Sequence, residues 1–589
     1  MRTGNMVCAL SAFLMVVTTL LCASPSECIE DNYSLKTTMI PMRDGMQLAT
    51  DLYFPVSDKK PFPIVLMRTP YGRKILKDYG EFYSEHGYIL AAQDVRGRFE
   101  SQGEWEPFIN EGKDGYDTIE WLSSQNWSTG KIGMCGGSYS GSVQFAAAIL
   151  EPPHLITIIP NITPAMPFGN LPYEGGSLLM GWAIRWIDIV ENAETASDMA
   201  RKVREGLVRE WRSLLNILPV IDLDKEVLGK VYPYWRKWVM HNTDDSYWKE
   251  VDYLEKLKGL DIPVFLQSGW YDGGNRGTKL AYFYLKQSRN DQIKMIVGPW
   301  IHSDRSSKYL YGQYMGEAAG INLFELYRRW FDYWLKGEEN GILDEPLVQV
   351  YNMGSNHWFE ANTYPLPNTS FTKLYLTSEK GANTSRGDGK LQPGTASSIK
   401  QYDTYTYDPG DPSPCYYAYL KKGASEQYNR FVASRNDILV YETPPLEQPL
   451  TVNGPVSAVL YASSSAGDTD WCVTVYGVDE NGEIYPIGMT WGILRARYRN
   501  SMRSPELLEK GKIYKYNIDL SHTGITFSRG ERIRMEISSS LFPEYSRNLN
   551  TGGHSETETE YVSAYQRIYH TEQYPSHLLL PVIEKGKDR

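Results

Sequence analysis

Cysteine is scarce in this chain: six in 589 residues, two of them within the first 22. The other four, Cys28, Cys135, Cys415 and Cys472, show no metal-ligand spacing and are too sparse for a disulfide framework. In an exported protein the C-terminal region has room for one bond, Cys415–Cys472. Positive charge is also in deficit. Sixty Lys and Arg stand against 71 Asp and Glu, giving a net charge of −11 and a pI near 5.5. That excludes the basic face that nucleic acid requires. No run of like charge is long enough to form an interaction tail. Beyond residue 23 no apolar run reaches the ~20 residues of a bilayer span, so the mature chain is expected to have no stable membrane span.

The one long apolar run lies at the start. Arg2 precedes residues 6–23, which carry no charge and are rich in Leu, Val and Ala; small residues (Ala23, Ser24, Ser26) and then Glu27 and Glu30 follow. This layout predicts a signal peptide over residues 1–23, cleaved between Ala23 and Cys28, and hence a secreted or periplasmic protein. The alternative is an uncleaved N-terminal membrane anchor. Leu21 before Cys22 argues against a lipoprotein.

Aromatic residues are plentiful, at 13%, with 43 Tyr and 16 Trp, which suits a β-rich portion. The length exceeds one hydrophobic core and predicts two or three domains. Over residues 33–160, short apolar runs at 64–68, 88–93 and 131–135 alternate with helical periodicity at 112–124 and 140–149. The rhythm resumes at 251–340, with strands at 263–267 and 293–297 and a helix at 322–334. Alternating strands and helices imply an α/β domain with a parallel sheet covered on both sides. Residues 161–250 interrupt it with Trp, Leu, Glu and Arg at helical spacing (WAIRWIDIVENAE, MARKVREGLVREW), read as an inserted helical cap. Residues 341–589 carry short β-rich runs between Gly, Pro, Asn and Asp, read as an antiparallel sandwich.

The strongest local signal is Cys135-Gly136-Gly137-Ser138-Tyr139-Ser140-Gly141, set between a strand and an Ala-rich helix. It is the strand–serine–helix elbow with its second glycine displaced from position 140 to 141. Small neighbours are needed there because the serine's backbone is strained and Cβ groups would clash. A serine nucleophile needs a base, and the base an orienting acid, in the chain order Ser, acid, His and each just after a strand. Asp272 follows the strand at 263–267, and His302 follows the strand at 293–297. Singly, Asp272 reads equally as a turn cap and His302 as a loop histidine; together they stand in the required order. The oxyanion hole would take the backbone N–H of Tyr139 as one donor. The loop after the first of these strands, Arg68-Thr69-Pro70-Tyr71-Gly72-Arg73, has no glycine run to offer a second amide; Tyr71 offers a phenol instead.

The set Thr69-Pro70-Tyr71, Asp94-Val95-Arg96-Gly97, Gly136-Gly137-Ser138-Tyr139-Ser140-Gly141, Gly269-Trp270-Tyr271-Asp272 and Gly298-Pro299-Trp300-Ile301-His302 closely resembles the bacterial cocaine-esterase family. That family also holds α-amino-acid ester hydrolases, glutaryl-cephalosporin acylases and X-Pro dipeptidyl peptidases. The resemblance continues through Gly492-Ile493-Leu494-Arg495, Gly530-Glu531-Arg532-Ile533-Arg534, Phe542-Pro543 and Asn548-Leu549-Asn550-Thr551-Gly552, and so covers nearly the whole mature chain. It implies an α/β-hydrolase domain, an inserted helical cap and a C-terminal all-β jelly-roll domain. It also implies that Tyr71 donates its hydroxyl to the oxyanion.

One departure stands out. The amino-ester hydrolases carry acidic residues just beyond the catalytic Asp to hold a substrate ammonium, whereas here Gly273-Gly274-Asn275 occupy that stretch. Glu174, Asp188 and Asp244 in the cap region remain as possible ammonium partners. The expected function is an exported serine hydrolase cleaving a small-molecule carboxylic ester through Ser138, Asp272 and His302 and an acyl-enzyme, with Tyr71 and Tyr139 at the oxyanion hole. No metal or organic cofactor is expected. The first alternative is an X-Pro dipeptidyl peptidase or a β-lactam or other amide acylase with the same triad. The second is a non-catalytic carbohydrate-binding protein.

Overall fold

A computed structural model describes residues 33–584 apart from 58, 194–197, 199–200, 203–212, 215–216, 289, 396–399 and 416–423. The expected signal peptide, Cys28 and most of the segment MARKVREGLVREW lie outside the described residues. A ten-stranded sheet is built from β1 (Tyr33–Pro41), β2 (Gln47–Pro55), β3 (Phe62–Thr69), β4 (Ile89–Asp94), β5 (Ser128–Gly137), β6 (Leu155–Asn161), β7 (Val264–Tyr271), β8 (Ile293–Ile301), β9 (Val348–Asn352) and β10 (His357–Ala361). Its order is β1-β2-β4-β3-β5-β6-β7-β8-β9-β10. The strands from β4 to β9 in that order are parallel; β1 and β2 at one edge and β10 at the other are antiparallel additions.

β3, β4 and β7 are buried at every position, which is why they read as unbroken apolar runs rather than alternating ones. The period of two is still present, because the two faces serve different cores. Ile64 and Leu66 pack with Ile119 and Val143 of α2 (Glu111–Ser123) and α3 (Tyr139–Ala148). Val65 and Met67 pack with Tyr83 of α1 (Lys77–Glu85) and with Phe331 of the helix Leu323–Phe331. The helix expected over 322–334 continues past Phe331 as a π-helical turn, Asp332–Lys336. There the buried Asp332 carboxylate accepts from Tyr88 Oη and Lys336 Nζ, each at 2.7 Å.

The described part of the cap contains α4 (Met180–Asn192) and the helix Pro233–Met240. Their shared core is aromatic: Trp186 stacks on Trp182 at 5.5 Å and on Trp238 at 6.0 Å. The C-terminal region is β-rich, an eleven-stranded sheet around the long strands Leu450–Ser464 and Tyr514–Phe527. Among the described residues no helix is long and apolar enough to cross a membrane.

β9 and β10 fall within the segment read as β-rich from residue 341, and they extend the first sheet, β9 pairing with β8 and β10 with β9. A short apolar strand looks the same in either sheet; only its partner tells them apart. Cys415 and Cys472 are buried thiols, not a disulfide. The motif Gly492-Ile493-Leu494-Arg495 is structural. Arg495 is buried and bonded to Asp470 at 3.0 Å and Glu556 at 2.8 Å, and Asn548 Nδ2 donates to Asp468 and Asp470, both at 2.9 Å.

Candidate active site

The parallel order brings the C-terminal ends of β5, β7 and β8 to one edge, where an open α/β sheet binds its ligands. Ser138 stands between β5 and α3 with φ 60° and ψ −120°, a conformation that disfavours any side chain and persists only where surroundings enforce it. Here Ser138 N–H donates to Asn161 O at 2.9 Å, while Ser138 O accepts from Gly141 N at 2.9 Å and Ser142 N at 3.1 Å. The displaced glycine of the motif has a steric reason. A Cβ at Gly141 would lie 2.0 Å from Thr163 Oγ1, whereas Ser140 fits the position before it.

Asp272 directly follows β7 and is buried. Its Oδ1 accepts from Gly274 N at 2.5 Å and from His302 Nδ1 at 3.1 Å. That bond assigns the proton to Nδ1 and leaves Nε2 as the free, basic nitrogen. The approach of the two loops is set by register. β7 and β8 pair evenly up to Gly269 and Gly298, and an irregularity then sets Ile301 opposite Tyr271, so the residues that follow, His302 and Asp272, meet. The His302 side chain is half exposed. Among the described residues no hydrogen bond joins Ser138 to His302, a bond that often closes only on a bound substrate.

The Tyr139 amide lies in the first turn of α3, where α-helical geometry leaves N–H groups without intrahelical acceptors. Its ring is anchored: Tyr139 Oη donates to Glu111 Oε1 at 2.7 Å and accepts from Phe108 N at 2.9 Å. Arg68 in turn pairs with Glu111 at 2.9 Å. All three side chains are buried, and burial raises both the Glu111 carboxyl and the Tyr139 phenol.

Tyr71 stands in the turn after β3, which Thr69 Oγ1 closes by accepting from Tyr71 N at 3.1 Å; this is the local reason for Thr-Pro-Tyr. The Tyr71 hydroxyl accepts from Trp186 Nε1 at 3.1 Å and interacts with the Ser138 side chain. Burial raises its pKa, so the phenol keeps its proton and, with one lone pair taken by Trp186, has that proton to donate.

The structure thus gathers Ser138, Tyr71 and the Tyr139 amide at the elbow, and joins Asp272 to His302 beside it. Sequence reasoning missed Trp186, whose indole contacts a residue 115 positions away, and the Gly274 amide on Asp272. It also missed His522. That buried histidine donates from Nε2 to Asn275 Oδ1 at 2.5 Å and accepts at Nδ1 from Tyr364 Oη at 2.7 Å; burial holds it neutral.

The three cap acids are all engaged. Glu174 is buried against Arg276 at 3.0 Å, Asp188 pairs with Lys202 at 3.0 Å, and Asp244 with Arg503 at 2.5 Å. Two of the three positions beyond Asp272 are closed to an acid: a Cβ at Gly274 would lie 2.2 Å from Ile162 O, and Asn275 is committed to His522, whereas a Cβ at Gly273 would meet nothing within 4 Å.

Two family models match the chain. One, described as X-Pro dipeptidyl-peptidase (S15 family), covers residues 44–304. The other, the X-Pro dipeptidyl-peptidase C-terminal non-catalytic domain, covers residues 340–579. A cocaine esterase of Rhodococcus sp. (strain MB1 Bresler) is 34% identical over 587 residues, covering 95% of this chain and 100% of the relative. A putative Xaa-Pro dipeptidyl-peptidase of Bacillus cereus is 24% identical over 498 residues, 80% of this chain and 74% of the relative. Among solved structures, an α-amino acid ester hydrolase superposes with a TM-score of 0.76 at 25% identity, covering 96% of this chain and 99% of that one.

Proposed function

The chain belongs to the S15 X-Pro dipeptidyl-peptidase and cocaine-esterase family of α/β-hydrolases, and from that premise we propose that it is an exported serine hydrolase of small carboxylic esters. In this reading His302 Nε2 takes the Ser138 proton as Oγ attacks the acyl carbon. The Tyr139 N–H and Tyr71 O–H receive the developing oxyanion, and Asp272 holds the imidazole tautomer and its positive charge. His302 then passes its proton to the leaving alcohol, and water repeats the sequence on the acyl-enzyme.

The observation that carries the ester over the dipeptide is the state of the acids. A dipeptidyl peptidase must hold a protonated N-terminus, and a buried ammonium without a carboxylate is costly by several kcal/mol. Glu174, Asp188 and Asp244 are each spent on a cation of the chain itself. We therefore expect p-nitrophenyl butyrate to be cleaved far faster than Ala-Pro-p-nitroanilide, and acetylating a substrate amine to change kcat/KM little. Faster cleavage of the anilide, abolished by acetylation of its amine, would overturn the ester reading.

Export rests on the apolar residues 6–23. The expected result is a mature chain whose intact mass places its first residue between 24 and 28. A cell-associated product beginning at Met1 would favour the anchor.

A further inference from the structure

His302 sits at the tip of a two-residue turn. Ile301 N–H donates to Asp304 O at 3.2 Å and Asp304 N–H to Ile301 O at 3.3 Å, so His302 and Ser303 span the gap between them. The histidine's own hold on the site is slight: its side chain is half exposed and meets Asp272 at 3.1 Å. Beyond the turn the Asp304 carboxylate accepts from the backbone of Ser306 and Ser307. Between them, Arg305 runs beneath the nucleophile's elbow.

There the Arg305 guanidinium fills the space that a side chain on Gly137 would need. A Cβ at that glycine would lie 2.6 Å from Arg305 Nη1 and 3.2 Å from Ile162 Cγ1. Gly137 has no positive φ, so its backbone does not call for glycine; the arginine does. Gly137 directly precedes Ser138. The guanidinium also interacts with the Tyr79 hydroxyl, and Tyr79 of α1 packs on Phe324 at 4.9 Å.

The cation has no anion to meet. Among the described residues no carboxylate forms an ion pair with Arg305, whose other neighbours are the Cys135 thiol and the Tyr327 phenol. Burial pushes the thiol up to about 12 and the phenol well above its ordinary value, so both stay neutral. A desolvated cation without a carboxylate is a poor choice for stability, since an apolar group of like size avoids the desolvation. We infer that Arg305 is a positioning residue, tying the turn that carries His302 to the elbow that carries Ser138 and so setting the approach of Nε2 to Oγ. This rests on the serine-hydrolase reading above, whatever the acyl substrate.

The test follows kcat, KM and the rate of fluorophosphonate labelling in Arg305→Met, Arg305→Lys, Gly137→Ala and the Gly137→Ala/Arg305→Met double variant. A misplacement of about 1 Å between reacting groups can cost roughly 100-fold. Arg305→Met is therefore expected to lower kcat and the labelling rate by about 10- to 100-fold with KM little changed, while its Tm stays at or above that of the wild type. Arg305→Lys keeps the charge and part of the reach, and should recover part of the loss. Gly137→Ala keeps the arginine but drives its head from under the elbow, and should cost a similar factor. In the double variant the two losses should not multiply, because both break the same contact. Unchanged kcat and labelling in Arg305→Met would overturn the inference, as would full multiplication in the double variant. If Arg305→Met does not fold, Gly137→Ala decides alone: full activity there overturns the inference too. Labelling needs the serine and its base but no particular substrate. A wild type that is labelled yet cleaves no ester would therefore fail the ester reading alone, and the labelling rates would still decide the role of Arg305.

Discussion

Ser138→Ala is expected to lower kcat by roughly 10⁶-fold, the loss seen when the nucleophile of a serine triad is removed. The size follows from covalent catalysis: without Oγ no acyl-enzyme forms, and only substrate binding and the oxyanion donors remain to act on water. The fold should survive, because alanine keeps the Cβ and the backbone bonds that hold Ser138, to Asn161, Gly141 and Ser142, involve no side chain. Alanine inherits the strain of φ 60° and ψ −120°; glycine does not. Strain of about 1–3 kcal/mol against a glycine entropy cost of about 0.5–1 kcal/mol leaves Ser138→Gly at least as stable as Ser138→Ala. Both variants should be inert and unlabelled by a fluorophosphonate probe, with Tm in the order Ala below or equal to Gly. Labelling that survives either substitution would place the nucleophile elsewhere.

The strands of the first sheet were legible because burial on both faces makes them plain apolar runs bounded by glycine and proline. The placement of Ser138, Asp272 and His302 directly after β5, β7 and β8 was legible because each follows such a run. What the sequence could not convey is held by contacts between distant residues. Nothing local marks Trp186 out from Trp182 or Trp238 as the indole on Tyr71. Likewise, Asn275 reads as a turn residue until His522, 247 positions on, meets it. The C-terminal β-rich region also grips the helix that follows Asp272, Asn275–Leu285. Arg276 donates to Trp491 O at 2.6 Å, and Lys279 bonds Asp519 at 2.5 Å. The second half of the chain thus sets where Asp272 can stand, although it supplies no atom to the proposed chemistry. β9 likewise carries no local sign of which sheet its hydrogen bonds join.

Tyr71→Phe is the sharper test of the oxyanion assignment, because the other donor, the Tyr139 amide, cannot be removed by substitution. The change deletes one hydroxyl and almost no volume. Removing a single oxyanion donor costs roughly 10²–10³ in kcat, about 2.7–4 kcal/mol, with KM little altered because the bond strengthens only as charge develops. Trp186 makes the prediction more specific. By donating to Tyr71 Oη at 3.1 Å, its indole fixes the phenol and steers the remaining proton toward Ser138. Trp186→Phe keeps an aromatic ring against Trp182 and Trp238 but loses that bond, ordinarily worth about 0.5–1.5 kcal/mol, so kcat should fall by about 2- to 10-fold. The two losses should not add, because once Tyr71 is phenylalanine there is no hydroxyl left to steer. In the double variant, Trp186→Phe should therefore cost almost nothing beyond Tyr71→Phe alone. A loss under threefold in Tyr71→Phe would leave Tyr71 as a packed aromatic. Full additivity in the cycle would mean that Trp186 acts on the substrate rather than through the phenol.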